Sequence, residues 1–507
     1  MSYLFQFVLP ILELMAALFV LLLGIGVLLI AVMWLVDRTQ TNHTIRRNYP
    51  VIGRFRYMFE HLGEFFRQYF FALDREELPF NRAQRNWVYR AAKNLNHTAA
   101  FGSTRDLRPE GTVMFLNGAF PRLTEEAQAP IELVFGPHCR HPYRTASFFN
   151  ISGMSYGALS RPAVRALSAG AAEAGIWLNT GEGGLSDWHL EGGCDLVFQV
   201  GTAKFGVRNP DGSLSDEALA HVAGHEQVKM FELKLAQGAK PGKGGILPKA
   251  KISDEVAKIR RISKDQDAIS PNRHREISNV AELLDMIDHI RSVTGKPCGM
   301  KMVLGQADVL DELCLAIHQR GLESAPDFIT IDSGDGGTGA APMTLMDDVG
   351  LPLSESLPML VDKLNEYGLK SRIAVIASGK RINPVDVAWA LCAGADVIQA
   401  GRGFMFALGC IQALQCNKNT CPTGVTTHDR HLQRGLVPED KAKRVAWYAK
   451  HMVKEVTIIS NSCGVDRPRL LRREHARVVS GTGRSVLLSE LWPQPETISK
   501  YQQADEE

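Results

Sequence analysis

Residues Phe328–Gly339 read FITIDSGDGGTG. A short run of aromatic and β-branched side chains ends in an aspartate and opens into a loop of glycines and small polar residues. The run has the composition of a buried strand, and the loop that of a ligand-binding turn at the strand's carboxyl end. The pattern repeats along the chain. Runs at Phe148–Ile151, Ile176–Asn179, Leu196–Val200, Phe231–Leu235 and Gly299–Val303 precede it, and Ile373–Ser378 and Val397–Ala400 follow. Helical patterns fill the gaps at Arg161–Ala174, Ala281–Val293, Asp308–Arg320, Leu357–Tyr367 and Pro384–Cys392. Eight strands alternating with crossover helices predict an α/β fold, a (β/α)8 or TIM barrel over residues 148–430. A doubly wound open sheet would carry G-x-G-x-x-G after its first strand, and SGMSYG at Ser152–Gly157 does not fit it.

Barrel chemistry sits on the loops leaving the strands' carboxyl ends. Here those loops carry Met154 and Ser155 after strand one, Thr180 and Gly181 after strand two, and Gln199 at the end of strand three. Strand six is followed by Ser333, Asp335, Gly336 and Gly337. Glycine lets backbone come close to a flat ligand and turns N–H groups toward its oxygens. One such loop is an ordinary turn, but a set at equivalent positions marks a cofactor cradle. Ser378-Gly379-Lys380 and Ala400-Gly401-Arg402-Gly403 follow the last two strands, where barrels bind phosphate. Lys380 and Arg402 add positive charge there, and the ligand expected is a phosphorylated cofactor such as FMN.

Directly beyond lies Gly409–Thr427, GCIQALQCNKNTCPTGVTT. Cys410, Cys416 and Cys421 form C-x5-C-x4-C before Pro422. Thiolates this close in a tight loop suit an iron–sulfur cluster, with three irons, or with four and a ligand from elsewhere. Three buried inert cysteines are the alternative.

The rest of the composition sets bounds. With 57 basic and 55 acidic residues, no nucleic-acid partner is expected. Nine cysteines scattered over 507 residues do not form a disulfide framework, which suggests a reducing compartment. Met15–Val36 is an unbroken apolar or glycine run of 22 residues. As a helix it is roughly 33 Å long, enough to cross a bilayer, and it lacks the form of a signal peptide. Arg38, Arg46, Arg47, Arg54 and Arg56 follow it and no Lys or Arg precedes it, so the body is expected on the cytoplasmic side. Residues 1–40 are therefore an anchor. Residues 41–147 form a helical and irregular wrap, with aromatics at helical intervals over Tyr57–Phe71 predicting a helix packed on the body. Residues 431–507 form a helical extension over Lys441–Ile458, a polar Arg-rich tail and a disordered end at Gln502–Glu507.

The motifs MSYGALS, NTGEGG, QVGTAKFGV, ELKLAQGAKPGKGG, DSGDGGTGA and CIQALQCNKNTCPTGV span Met154 to Val425. Together they resemble the FMN-binding synthase domain of the glutamate synthase family, and the whole chain resembles its stand-alone, membrane-attached members. The resemblance implies FMN, and a three-iron, four-sulfide cluster rather than a four-iron one on Cys410, Cys416 and Cys421. It implies reduction of the imine formed from 2-oxoglutarate and ammonia to glutamate. Lys301, on strand five, is then the first catalytic candidate, beside the flavin or a substrate carboxylate. Glu232, Gln237 and Lys240 resemble residues on the substrate and ammonia side. Implied partners are a 2-oxo acid, ammonia or an amine, and an electron donor: ferredoxin, a flavoprotein reductase or a membrane redox partner. This chain is expected to hydrolyse no glutamine, so a separate glutaminase subunit is a further expected partner. Two other readings use the same barrel: another 2-oxo acid and amine pair, as in N-methylglutamate formation, or a membrane-associated electron-transfer flavoprotein. Nucleotide-dehydrogenase barrels need a cysteine nucleophile after strand six, and Ser333–Ala341 has none.

Overall fold

The computed structural model describes residues 2–126, 128–499 and 501, so the expected disordered end at 502–507 lies outside the described residues. Two units, Met1–Ala83 and Gln84–Glu507, divide the chain.

The first unit begins with α1 (Ser2–Thr39), largely exposed from Phe7 to Val36, whose stretch Phe7–Thr39 contains an 18-residue window of mean hydropathy 3.0 and is long enough to span a membrane. A short turn, Thr44–Asn48, leads to α2 (Ile52–Phe66). Asp37, near the end of α1, accepts from Arg54 Nε and Nη2 at 2.8 Å each and from the Val51 amide at 3.0 Å. These bonds pin the start of α2 to the end of α1.

In the second unit the eight runs become β1 (Phe149–Ile151), β2 (Leu178–Asn179), β3 (Leu196–Val200), β4 (Val228–Lys234), β5 (Cys298–Met302), β6 (Phe328–Asp332), β7 (Ala374–Ser378) and β8 (Val397–Ala400). All pair in parallel in sequence order, and β8 closes on β1. Strands covered by helices outside and side chains inside are buried on both faces, which is why they read as near-continuous runs. The exception is β4. It starts at Val228, before the expected Phe231, because Lys229 interrupts the run while facing outward, 3.7 Å from Asp195.

Several crossover helices start where a side chain caps them. Ser160 accepts from the Ala163 amide to open α3 (Arg161–Ala174), which ends at Gly175 with φ +66°. Next come α4 (Asp216–Ala223) and α5 (Val280–Thr294), the second capped by Asn279. The outer ring continues with α6 (Asp308–Arg320), α7 (Leu353–Glu366) and α8 (Pro384–Cys392). Helix α7 begins before the expected Leu357, with Pro358 buried inside it. A short helix, α9 (Arg402–Leu408), follows β8.

Two parts of the flanks differ from the expected helical wrap and polar tail. An antiparallel hairpin, Leu133–Phe135 with Tyr143–Thr145, pushes Phe135 and Tyr143 into the barrel's lower end. There they join Trp177, Val197, Met230, Phe328, Ile376 and Val397, with the Phe135 ring edge-on to Trp177 and Phe328. Strand Ala476–Val479, in the Arg-rich tail, pairs with Val113–Phe115 and Ser485–Leu487 in a small sheet. The long helix α10 (Pro438–Ser462) packs on α3, where Gly170 allows the close crossing.

A Cβ added at Gly170 would lie 2.6 Å from the Ala442 carbonyl and from Val445 Cβ. Gly170→Val should therefore cost about 1–3 kcal/mol in denaturant unfolding of the detergent-solubilised chain. Gly435→Ala, where the new methyl meets nothing within 4 Å, should stay within about 0.5 kcal/mol of wild type.

Candidate active site

Successive side chains on a strand point to opposite faces, so each barrel strand sends every second residue to the axis. From lower end to mouth those rows run Val197–Gln199 on β3, Met230–Glu232–Lys234 on β4, Phe328–Thr330–Asp332 on β6 and Ile376–Ser378 on β7. Each begins in the apolar plug and turns polar on the way up. On β5 the inward positions are Gly299, whose missing side chain leaves room for the Phe328 ring, and Lys301.

At mid-height Glu232 is fully buried and accepts from Asn179 Nδ2 (2.8 Å), Gln199 Nε2 (2.6 Å) and Thr330 Oγ1 (2.6 Å). Lys301 Nζ lies 3.2 Å from Asp332 Oδ2, which also accepts from the Gly238 amide at 2.9 Å. Burial disfavours the Lys301 ammonium, but Asp332 and Glu232 more than offset this and hold its pKa above the ordinary lysine value.

A second charged layer lies above. Lys234 Nζ is 3.1 Å from Glu182 and donates to Gln237 Oε1, whose amide in turn donates to Thr338 Oγ1. Burial works against the Glu182 charge, yet Lys234, Lys240 and Arg260 hold its pKa down at about 2. Lys240 is pulled down to about 8 by burial, with Glu182 opposing and Lys234 assisting. Arg260, also buried, donates to the Tyr156 carbonyl (3.4 Å) and keeps a partnerless Nε. Glycine is required around Glu182: a Cβ at Gly245 would fall 2.3 Å from its Oε1, and one at Gly201 2.6 Å from its Cβ.

These groups line an open cavity of about 1290 Å³ at the barrel mouth. Lys234, Lys240, Lys251, Lys301, Lys380, Arg260 and Arg402 face it, against only Glu182 and Asp332. Of the residues singled out from sequence, Met154, Ser155, Gln199, Gln237, Gly337, Gly379 and Gly401 also line it. Thr180, Gly181, Ser333, Asp335, Gly336 and Glu232 stand behind that surface. Thr180 Oγ1 accepts from the Gln199 amide, and Ser333 Oγ accepts from the Leu353 amide and donates to Asp335. Lys380 pairs with Asp335 at 2.8 Å, and Arg402 donates to the Thr338 carbonyl. The sequence reading assigned no role to Glu182, Lys234, Lys251, Arg260 or Asp332. Lys251 and Arg260 come from the long β4–β5 connection, in stretches that look like ordinary solvated helix.

The cysteine loop forms one wall of the same cavity, through Cys416 and Asn417. Cys416 Sγ is 3.7 Å from Arg402 Nη1, the Cys410 thiol accepts from the Gln412 amide, and Lys251 Nζ donates to the Ala158 and Cys416 carbonyls. Burial pushes the Cys410 thiol up to about 11. At Cys421, burial is outweighed by a hydrogen bond with the Thr423 hydroxyl and by the backbone of Thr423 and Thr426, and the pKa is lowered. Among the described residues no three Cys, His, Asp or Glu side chains stand close enough to hold a single metal ion.

A sequence profile described as a conserved region in glutamate synthase matches residues 119–466. The chain belongs to the glutamate synthase family. A glutamate synthase large subunit-like protein, YerD, of Bacillus subtilis is 40% identical over 90% of this chain and 93% of its own length. Another large subunit-like relative in Rhizobium meliloti is 29% identical over 74% of this chain and 85% of its own. The archaeal glutamate synthase [NADPH] of Methanocaldococcus jannaschii is 33% identical over 65% of this chain. The match spans only 61% of that archaeal relative. Within this family member the motif glycines at 201 and 245 thus have a defined task, which is to seat Glu182 among lysines.

Glu182→Gln would leave Lys234, Lys240 and Arg260 without their shared counter-charge. Chemical unfolding should show a loss of about 1–3 kcal/mol, with Glu182→Asp losing less.

Proposed function

We propose that this glutamate synthase-type oxidoreductase holds FMN at the barrel mouth and an iron–sulfur cluster on Cys410, Cys416 and Cys421. With them it reduces the imine formed from 2-oxoglutarate and ammonia to glutamate. The observation that carries this reading is that Lys301, Arg402 and Cys416 line one cavity in which seven cations face two carboxylates. Such a surface selects ligands rich in negative charge, and both a flavin phosphate and a dicarboxylate oxo acid qualify.

The residues fit both groups. Met154, Ser155, Gln199 and Lys301 would hold the ring system, while Gly379 and Gly401 would offer backbone N–H groups to the phosphate, with Lys380 adding charge. The three thiols lie within electrostatic reach of one another and of Arg402, a donor set suited to a three-iron cluster whose thiolates bind different irons. When bound, FMN supplies hydride transfer and the cluster supplies single electrons. The protein's own share is binding and charge. Lys301 and the Lys234–Glu182–Lys240 row orient the acid, with the Arg260 guanidinium available to a carboxylate. The Glu232 layer and the aromatic plug close the lower end.

Electrons enter at the cysteine loop, which faces the cavity with Cys416 and exposes Leu414 (69%) to solvent. A ferredoxin or flavoprotein reductase docks there, or a membrane redox partner, since α1 anchors the chain with its catalytic body in the cytoplasm. Ammonia arrives free or from a separate glutaminase subunit.

The test is to purify the chain anaerobically in detergent, quantify iron and FMN, and assay glutamate from 2-oxoglutarate and ammonia with a chemical reductant. Yellow-brown protein that makes glutamate is the expected result. A preparation that takes up neither FMN nor iron on reconstitution sinks the reading. Cys416→Ser should abolish the iron absorbance while flavin stays bound.

Charge on Lys240 sets a pH dependence. It is protonated below about 8, where it attracts an anion, and neutral above. Affinity for 2-oxoglutarate, read by calorimetry, should fall above pH 8 along a one-proton slope. Lys240→Arg should keep the affinity flat across that range.

A further inference from the structure

Helix α2 divides sharply by side-chain type. Ile52, Phe55, Met58, Phe59 and Leu62 fall within about 120° of its circumference, at 100° per residue. Arg54, Arg56, Glu60 and His61 occupy the rest. The polar side is occupied: the Tyr57 ring meets His43 edge-on at 5.2 Å, the Arg46 guanidinium lies 4.9 Å from its centroid, and Arg54 is bound to Asp37. The apolar side is open, with Ile52 73%, Phe55 52% and Phe59 62% exposed. Just after α2, Phe70 and Phe71 are exposed as well. A water-facing stripe of this size needs a cover.

What covers it follows from where α2 is held. The Asp37 carboxylate, one turn from the end of the apolar helix α1, binds both the Arg54 guanidinium and the Val51 amide. That fixes α2 at the level where a membrane-spanning α1 would leave the hydrocarbon. At that depth an aromatic stripe meets the boundary between acyl chains and headgroups, and Arg56 and Arg67 beside it meet phosphates. Aromatic side chains and arginine flanks are the composition suited to that boundary.

We infer that α2 lies in the bilayer surface as a second, in-plane membrane contact, seating Ile52, Phe55, Phe59 and Leu62 among lipid chains at an anionic headgroup layer. The inference rests on reading α1 as a membrane span. With two contacts at one surface, the chain after α2 leaves the membrane from a fixed point instead of swinging about a single helix.

The experiment reconstitutes the full chain in vesicles of mixed phosphatidylcholine and phosphatidylglycerol that carry a diazirine lipid, irradiates them, and maps adducts by peptide mass spectrometry. Adducts on residues 52–71 as well as 7–39 are expected. In the Phe55→Glu, Phe59→Glu chain, adducts on 52–71 should fall about tenfold while those on 7–39 persist. Adducts on 7–39 alone overturn the in-plane contact and leave the anchor standing. Adducts on neither stretch overturn both.

Discussion

A glutamate side chain on the axis of a closed barrel has no water to turn to, and leaving a buried charge unsatisfied costs several kcal/mol. Glu232 is satisfied by Asn179 from β2, Gln199 from β3 and Thr330 from β6, while Lys301 from β5 lends charge. Four strands thus answer to one carboxyl group carried by a fifth. A one-residue slip in any of them would turn its donor outward and move an outer-face residue onto the axis. The barrel's register and the placement of Lys301 are therefore one constraint.

That constraint also explains why the site lies at only one end. Below Glu232 the inward rows are apolar, and the hairpin bearing Phe135 and Tyr143 seals them with stacked aromatic rings. Above it the rows end in charge: Lys234 pairs with Glu182 from the loop after β2, and Asp332 pairs with Lys301 and accepts from the Gly238 amide of the loop after β4. Charge collects where the loops can answer it. At the mouth cations outnumber carboxylates, seven to two.

How much of this was legible in the sequence depended on how local the cause was. Eight strands and their helices were legible because double burial writes each strand as a run and N-caps such as Ser160 and Asn279 mark the turns. The hairpin plug and the strand Ala476–Val479 were not. Their strands are three or four residues long, and while Ala476–Val479 pairs locally with Ser485–Leu487, its other partner, Val113–Phe115, lies some 360 positions earlier. At the site, glycine loops and cysteine spacing were readable as patterns. Arg260 and Lys251 were not, because a cation on a capped helix or turn reads as solvated until the fold buries it. Glu182 sat inside a recognised motif, yet its task depends on Lys234, some fifty residues on, and on the space left by Gly201 and Gly245.

Arg402 shows the same limit from the other side. From sequence it is a loop cation beside a phosphate-binding turn. In the fold its guanidinium lies against Gly337, donates to the Thr338 carbonyl and reaches Cys416 Sγ. One side chain thereby ties the loop after β6 to the cysteine loop after β8, across the cavity wall. An arginine cannot lose its charge, and a fixed cation favours the more negative state of whatever it faces. Beside the cysteine loop it favours the thiolate form of Cys410 against the effect of burial, and at the cavity it favours anionic ligands. The same guanidinium thus biases the cysteine wall and the cavity mouth in one direction, toward negative charge.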